Sequence, residues 1–399
     1  HVEHKPITDF TNLAAQGELT GEPVITRVDN AIDFYWDRSP LDNKVLSEFG
    51  VLWEGILVPD ATGEYRFSDD ATVTIDGVEV TGKVALNANQ QYAFSAKRLF
   101  LKNPWSNTIP YIRLSWLNTS VDMQKQALAV AKQADAIVIM AGISPRIEGE
   151  EMPVKLDGFN YGDRTDIDLP DVQKDLIKAL DKLGKPTVLV NFSGSAMALN
   201  WEDKNMDAIV QAFYPGEATG TALAELLWGD INPSGRLPVT FYHSLDGFAA
   251  FDDYDMTNRT YRYFSGEVLY PFGYGLSYAD FRYSDLVAPT HLPVGSDLPL
   301  TVTLSNNSAR SGEEVTQIYV SMPDAPVRTP KIELKDFERN LLAANTSATL
   351  TLSLSAKELV YIDQEGHKQP YTGRLLVSVG SGQPEFATSS VQQAIVMIK

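Results

Sequence analysis

Cysteine is missing altogether from the 399 residues, which removes disulfides, thiolate nucleophiles and zinc–thiolate sites from consideration. Histidine is scarce. The five residues His1, His4, His243, His291 and His367 are scattered, with no His-Glu-x-x-His spacing, so neither a metal centre nor another cofactor is expected. Positive charge is in deficit: 33 Lys and Arg face 52 Asp and Glu, a formal net charge of −19, and no basic stretch interrupts it. A polyphosphate backbone would be repelled, so nucleic acid is not an expected partner, whereas a neutral ligand such as a sugar is not penalised. No apolar run reaches the ~18–20 residues that a membrane-spanning helix requires, and a soluble protein is expected. The chain starts at His1 rather than Met, with no charged-then-apolar signal segment, and reads as a processed chain or a piece of something longer.

What is present is an ordinary globular composition, 44% hydrophobic and 21% charged, with 27 Gly and 22 Pro. At ~100–200 residues per domain the length implies two to four domains. The texture of the chain changes along its length. Residues 1–19 read as a linker or a remnant of a domain found further on. Across 20–118 short alternating runs, such as Val51-Leu52-Trp53, Glu64-Tyr65-Arg66-Phe67 and Thr72-Val73-Thr74-Ile75, are broken by Pro59, Gly63 and the turn pair Asp76-Gly77. That pattern predicts a β-sandwich or barrel of antiparallel strands.

Across 119–284 the period switches. Val121–Ala134 reads as a helix with Ala127, Val130, Ala131 and Ala134 on one face. The apolar run Ala136-Ile137-Val138-Ile139-Met140 predicts a strand buried on both faces. Pro170–Leu183 is a second helix, its stripe drawn through Val172, Leu176, Ala179, Leu180 and Leu183, with Gly184 as its stop. Strands at 187–190 and 208–213 and a helix at 217–228, ending at Gly229, complete an α/β sandwich with a mainly parallel sheet. Residues 285–399 return to short strands at 300–304, 317–321, 348–354 and 374–379, consistent with an immunoglobulin-like C-terminal sandwich. The expected fold class is therefore multidomain, α/β plus all-β.

Chemistry is expected in the loop 143–169, because loops leaving the carboxyl ends of parallel strands form the ligand crevice. It is longer than the ~12–15 residues beyond which loops are usually functional or disordered. It holds Glu148, Glu150, Glu151, Asp157, Asp163, Arg164 and Asp166. On composition alone, an acidic solvated loop and a catalytic or metal-binding one weigh equally.

The wording of the loop breaks that tie. Ile147-Glu148-Gly149-Glu150-Glu151, then Asp157-Gly158-Phe159-Asn160-Tyr161-Gly162-Asp163-Arg164, and Leu169-Pro170 at the helix start resemble the acid/base loop of glycoside hydrolase family three. Asn191-Phe192-Ser193-Gly194-Ser195, Trp201, Tyr214-Pro215-Gly216-Glu217 and Gly220-Thr221-Ala222 resemble successive segments of the same domain. So do Asn232-Pro233-Ser234-Gly235-Arg236-Leu237-Pro238 and the stretches from Arg259 to Phe264 and from Tyr270 to Tyr278. Lys331–Phe337 resembles a strand of the family's fibronectin type III-like C-terminal domain. Trp53-Glu54-Gly55, Pro59 to Phe67, Asp69-Asp70 and Ile75-Asp76-Gly77 more loosely resemble the protective-antigen type of domain that some members carry as an insert.

The resemblance implies retaining hydrolysis of β-linked sugars from the non-reducing end. One carboxyl group is an Asp nucleophile from a preceding (β/α) barrel, and the other is the acid/base Glu of this loop. Matched on the Gly-Glu step and the Gly-Asp-Arg downstream, that Glu is Glu150 in preference to the alternatives Glu148 and Glu151, and it must be held protonated by a low-dielectric pocket or a neighbouring negative charge. Glu148, Arg164 and Trp105 are the substrate-binding candidates. Against them, Arg164 and Asp163 can brace the loop through a salt bridge, and Trp105 can be a half-buried loop anchor. Asp69-Asp70 is expected to stabilise a turn rather than hold calcium, and the Tyr261–Tyr278 aromatics to pack core and domain interfaces.

No barrel sequence is present, so the nucleophile and most sugar-gripping residues are expected on a missing N-terminal half, in the same or a separate polypeptide. The expected substrate is an oligosaccharide, with β-glucoside favoured slightly over β-xyloside, and the location periplasmic or extracellular. A homodimer is left open. The competing classes are a carbohydrate-binding or adhesive protein, in which the flanking β-domains hold glycans, and a catalytically retired structural homologue.

Overall fold

A computed structural model describes residues 2–3, 8–13, 19–20, 26–35, 49–68, 70–100, 111–148, 157–160, 163–250, 252–386 and 391–399. The described chain is mostly β with a few helices and divides into two compact units, His1–Ala129 and Val130–Lys399.

In the first unit, Phe49–Leu57 pairs antiparallel with Tyr92–Phe100 along its whole length, and Tyr92–Phe100 pairs in turn with Thr72–Ile75. Asp76 and Gly77, both with positive φ (50° and 79°), turn Thr72–Ile75 into Val78–Glu79, the geometry that an Asp-Gly pair supplies at least cost. A second antiparallel sheet joins Trp116–Asn118, Gly63–Phe67 and Lys83–Leu86. Alternate residues Val51, Trp53, Tyr65, Phe67, Val73, Ile75, Phe94 and Ala96 build the core. Aromatic stacking of Trp116 on Tyr65 and Phe67 adds to it (ring centroids 4.8 and 5.9 Å).

The second unit opens with parallel strands Ile137–Gly142, Thr187–Phe192 and Ala208–Gln211, side by side in sequence order. Helices Asp171–Asp181 and Asn200–Asn205 connect them, and Thr219–Trp228 comes after the third, closing on Gly229 at φ +79°. The periodicity located these elements, but it misplaced three faces. Val130, at the end of helix Met123–Ala131, is exposed, while Ala131 is buried. Strand Ile137–Gly142 buries Ile137 and Ile139 but leaves Val138 and Met140 43% and 65% exposed, because nothing among the described residues covers that face. Helix Asp171–Asp181 buries Ile177 and Leu180 and leaves Val172 77% exposed. Its inner face turns toward Gln173, a polar residue that an apolar stripe cannot register: the side-chain amide donates to Gly142 O and accepts from Gly142 N, both at 2.8 Å.

Residues 281–398 form two further sheets. One holds Phe281–Val287, Leu298–Asn306 and Thr346–Leu354; the other holds His291–Leu292, Val391–Ile398, Gly373–Gly380, Gly312–Ser321 and Glu333–Leu342. Both contribute to a single core that includes Leu298, Leu300, Val302, Leu304, Leu375, Val377 and Val379. This β region is stapled to the α/β region. Arg236 donates to Glu314 at 2.7 Å with both side chains buried, Gln317 donates to Gly273 O at 3.0 Å and Gln383 to Phe272 O at 2.9 Å. Tyr261 stacks on Phe272 (4.1 Å) and meets Tyr319 edge-on, so the expected packing role of these aromatics is seen there, while Tyr278 stays half exposed beneath Arg310.

Candidate active site

The three parallel strands end together at Gly142, Phe192 and Gln211, and the segments leaving them meet at that edge. Gly142 takes φ +131°, a conformation open essentially to glycine alone, and a Cβ there would collide with the Phe192 carbonyl. Ile143 N then donates to Phe192 O at 2.8 Å, and the short helix Pro145–Glu148 comes next, its turn closed by Glu148 N on Ser144 O at 3.0 Å.

Under this turn lies a buried polar net. Asn191 and Ser193 are fully buried; Asn191 Nδ2 donates to Gln211 Oε1 (2.6 Å) and Ser193 Oγ (3.1 Å), and Ser193 Oγ donates to Ser195 O (2.8 Å). Interlocked bonds of this kind tie Ser193 and Ser195 to the ends of the second and third strands, although Asn191 Oδ1 has no partner among the described residues. At the third strand Phe213 adopts φ +56°, a strained setting for a bulky residue, and the next residue, Tyr214, points back to the first loop.

Four side chains converge there. Tyr214 OH lies 2.7 Å from Glu148 Oε2 and 2.9 Å from Ile143 O. Ser195 Oγ donates to Glu148 Oε1 at 3.2 Å and accepts from Arg164 Nη1 at 3.0 Å. Arg164 also donates to Ala196 O, at 3.1 Å, and contacts Met197 Sδ. Burial raises the Tyr214 phenol to about 12, helped by the hydrogen bond to Glu148, so it remains a neutral donor. Burial lowers the Arg164 pKa, against the opposing pull of Asp166, Glu148 and Asp168.

Of the residues singled out in the sequence, Glu148 and Arg164 are thus brought together, one hydroxyl apart. No ion pair joins Arg164 to Asp163; the two occupy successive positions of the hairpin strand Asp163–Arg164, and the brace runs from Arg164 to the 195–197 turn instead. Glu150, Glu151, Trp105 and Asp69 lie outside the described residues. Ser195, Tyr214 and Gln173 were not singled out as site residues. Their signal was present, since Ser195 and Tyr214 come after the second and third parallel strands and such loops share one edge.

Residues 19–278 match the glycosyl hydrolase family 3 C-terminal domain, and residues 314–383 match a fibronectin type III-like domain. The chain belongs to glycosyl hydrolase family 3. It is 39% identical over 277 residues to a xylan 1,4-beta-xylosidase of Xylanibacter ruminicola, covering 69% of this chain and 31% of that protein. It is 34% identical over 272 residues to a periplasmic beta-glucosidase of Salmonella typhimurium, covering 65% of this chain and 34% of that protein. In fold it is similar to the crystal structure of a beta-glucosidase from Kluyveromyces marxianus, with a TM-score of 0.79 at 23% identity, covering 98% of this chain and 50% of that one. The chain spans about a third of the length of these two curated relatives.

Proposed function

We propose that this chain is the acid/base half of a retaining exo-β-glycosidase that releases terminal β-D-glucose, or β-D-xylose, from oligosaccharides. Glu150 is the general acid/base. The Asp nucleophile belongs to a barrel outside this chain, and the working site forms where the two meet, with the carboxyl groups ~5–5.5 Å apart as retention requires. Trp105 is the proposed stacking aromatic at the rim. The domain plan that goes with this reading is a protective-antigen-type insert at 20–118, an α/β sandwich at 119–284 and a fibronectin type III-like sandwich at 285–399. A periplasmic or extracellular location accompanies the reading. Among the described residues no helix is long and apolar enough to cross a membrane.

One observation carries the proposal: the segment that holds Glu150 departs from Glu148 and returns at Arg164, and both are tied to the carboxyl edge of the parallel sheet. That edge is where α/β sheets hold ligands. The test joins this chain to the barrel half and measures release of p-nitrophenol from β-glucoside and β-xyloside. Glu150→Gln should lower turnover by about 10²–10⁴-fold, the usual contribution of general acid/base catalysis, and azide should restore activity on the activated substrate. Turnover by the 399-residue chain alone would overturn the assignment of the nucleophile to a separate barrel.

A further inference from the structure

Strand Ile137–Gly142 lies at the outside of the parallel sheet among the described residues, with Thr187–Phe192 along its inner edge. Its peptide groups alternate between the two edges. Ile137 N donates to Pro186 O and Ile143 N to Phe192 O, both at 2.8 Å, so the odd-numbered residues face the neighbouring strand. Val138, Met140 and Gly142 therefore turn their peptide groups outward. At Gly142 the outer edge is closed, because the Gln173 side-chain amide donates to its O and accepts from its N, both at 2.8 Å. Those are the two bonds that a neighbouring strand would make. Val138 and Met140, before it, also leave their side chains 43% and 65% exposed on one face. Strand edges that face water are usually guarded by a charge, a proline or a bulge. Residues 136–142, Ala-Ile-Val-Ile-Met-Ala-Gly, carry neither charge nor proline, and their register with Thr187–Phe192 runs without a shift.

We infer that this edge is an interaction surface for the amino-terminal part of the same enzyme, which lays an extended segment along Val138 and Met140 and covers their side chains with apolar residues of its own. The occupant follows from length and place. Residues 19–278 match a domain described as C-terminal in its family, and the chain spans only 31% and 34% of its xylosidase and glucosidase relatives. The chemistry agrees, since buried parallel sheets are covered on both faces and an added segment draws its affinity from main-chain bonds. Gln173 sets where that segment stops, because it already fills the bonding positions at Gly142. The inference rests on the reading above only in taking a further half to exist, and it depends on no catalytic residue.

Hydrogen exchange resolved to single residues reads the edge without any catalysis. In the 399-residue chain alone, the Val138 and Met140 amides should exchange about 100-fold faster than those of Ile137 and Ile139. Joined to the polypeptide encoded ahead of residue 1, all four should exchange slowly. Met140→Asp should leave the melting temperature of the chain alone nearly unchanged. It should weaken association with that polypeptide by about 100-fold or more, because a carboxylate would be buried without a partner. Met140→Leu should associate as the wild type does. Undiminished association of Met140→Asp, or unaltered exchange of Val138 and Met140 on joining, would overturn the inference, and so would a gene that encodes nothing ahead of residue 1. A dimer of the chain by itself that Met140→Asp dissociates would overturn the choice of occupant in favour of a second copy. A joined protein that protects both amides yet releases no p-nitrophenol would support the interaction surface and count against the enzymatic reading alone.

Discussion

At residue 194 the turn after the middle strand has no space for a side chain, because the Tyr214 ring occupies it. Gly194→Ala should therefore push that ring from Glu148 and cost about 1–3 kcal/mol, the usual range for overpacking. Urea unfolding measures the cost. Glu202 presents a different residue-scale problem. It is 3% exposed, and its Oε1 has no hydrogen-bond partner among the described residues. Burial raises its pKa above the ordinary 4.5. A carboxyl whose folded pKa is raised lends stability that is fully present below about 4.5 and is lost as pH rises through the folded value. Glu202→Gln should accordingly stabilise the chain near neutrality, by about 1 kcal/mol, and flatten the fall in stability that sets in above about pH 4.5. Thermal melts across that range check both signs.

Strand Ile137–Gly142 shows how far an element could be read from its letters. Its place, its direction and the loop beyond it were legible, because a continuous apolar run between two helical periods leaves few alternatives. Which faces it buries was not legible, since an apolar run is equally apolar on both sides. Helix Asp171–Asp181 failed for a related reason, its inner face being centred on Gln173, which serves Gly142 by hydrogen bonding. The site was legible in the same uneven way. Glu148 and Arg164 stood out as charges in a long loop, whereas Ser195 and Tyr214, of commonplace type, gained meaning only when three strands ended at one edge. The two faces of the strand give an element-scale test. Ile139→Ala should cost about 2–5 kcal/mol, while Met140→Gln should stay within about 0.5 kcal/mol in this chain, as measured by urea unfolding. Equal costs would mean that both faces are covered.

For the molecule as a whole, the α/β region and the C-terminal β region share one strongly buried ion pair, Arg236 with Glu314 at 2.7 Å, and Tyr283 OH lies 3.4 Å from the other Glu314 oxygen. Burial raises the Glu314 pKa, with Arg236 opposing, so its contribution also fades as pH rises. The acid side is governed by other groups. Asp324, which takes three side-chain bonds and a backbone bond from Arg374, and Asp255, held by Thr257 and then by Arg328, are both depressed to about 2 from 3.8. A depressed carboxyl contributes fully above its unfolded value and loses that contribution as pH falls through the folded one. Stability should therefore fall between about pH 4 and pH 2, and fall again as pH rises through the folded values of Glu202 and Glu314, both raised by burial. Asp324→Asn should flatten the low-pH limb without moving the high one. Arg236→Met should leave Glu314 buried without its cation and cost about 3–5 kcal/mol. Replacing both partners with apolar residues should recover most of that loss, because the pair's attraction mainly offsets the cost of burying it. Melting curves of the four proteins of this cycle, recorded at pH values from about 2 to 9, separate the contributions. A double variant as unstable as Arg236→Met alone would show that the pair does more than offset its own desolvation.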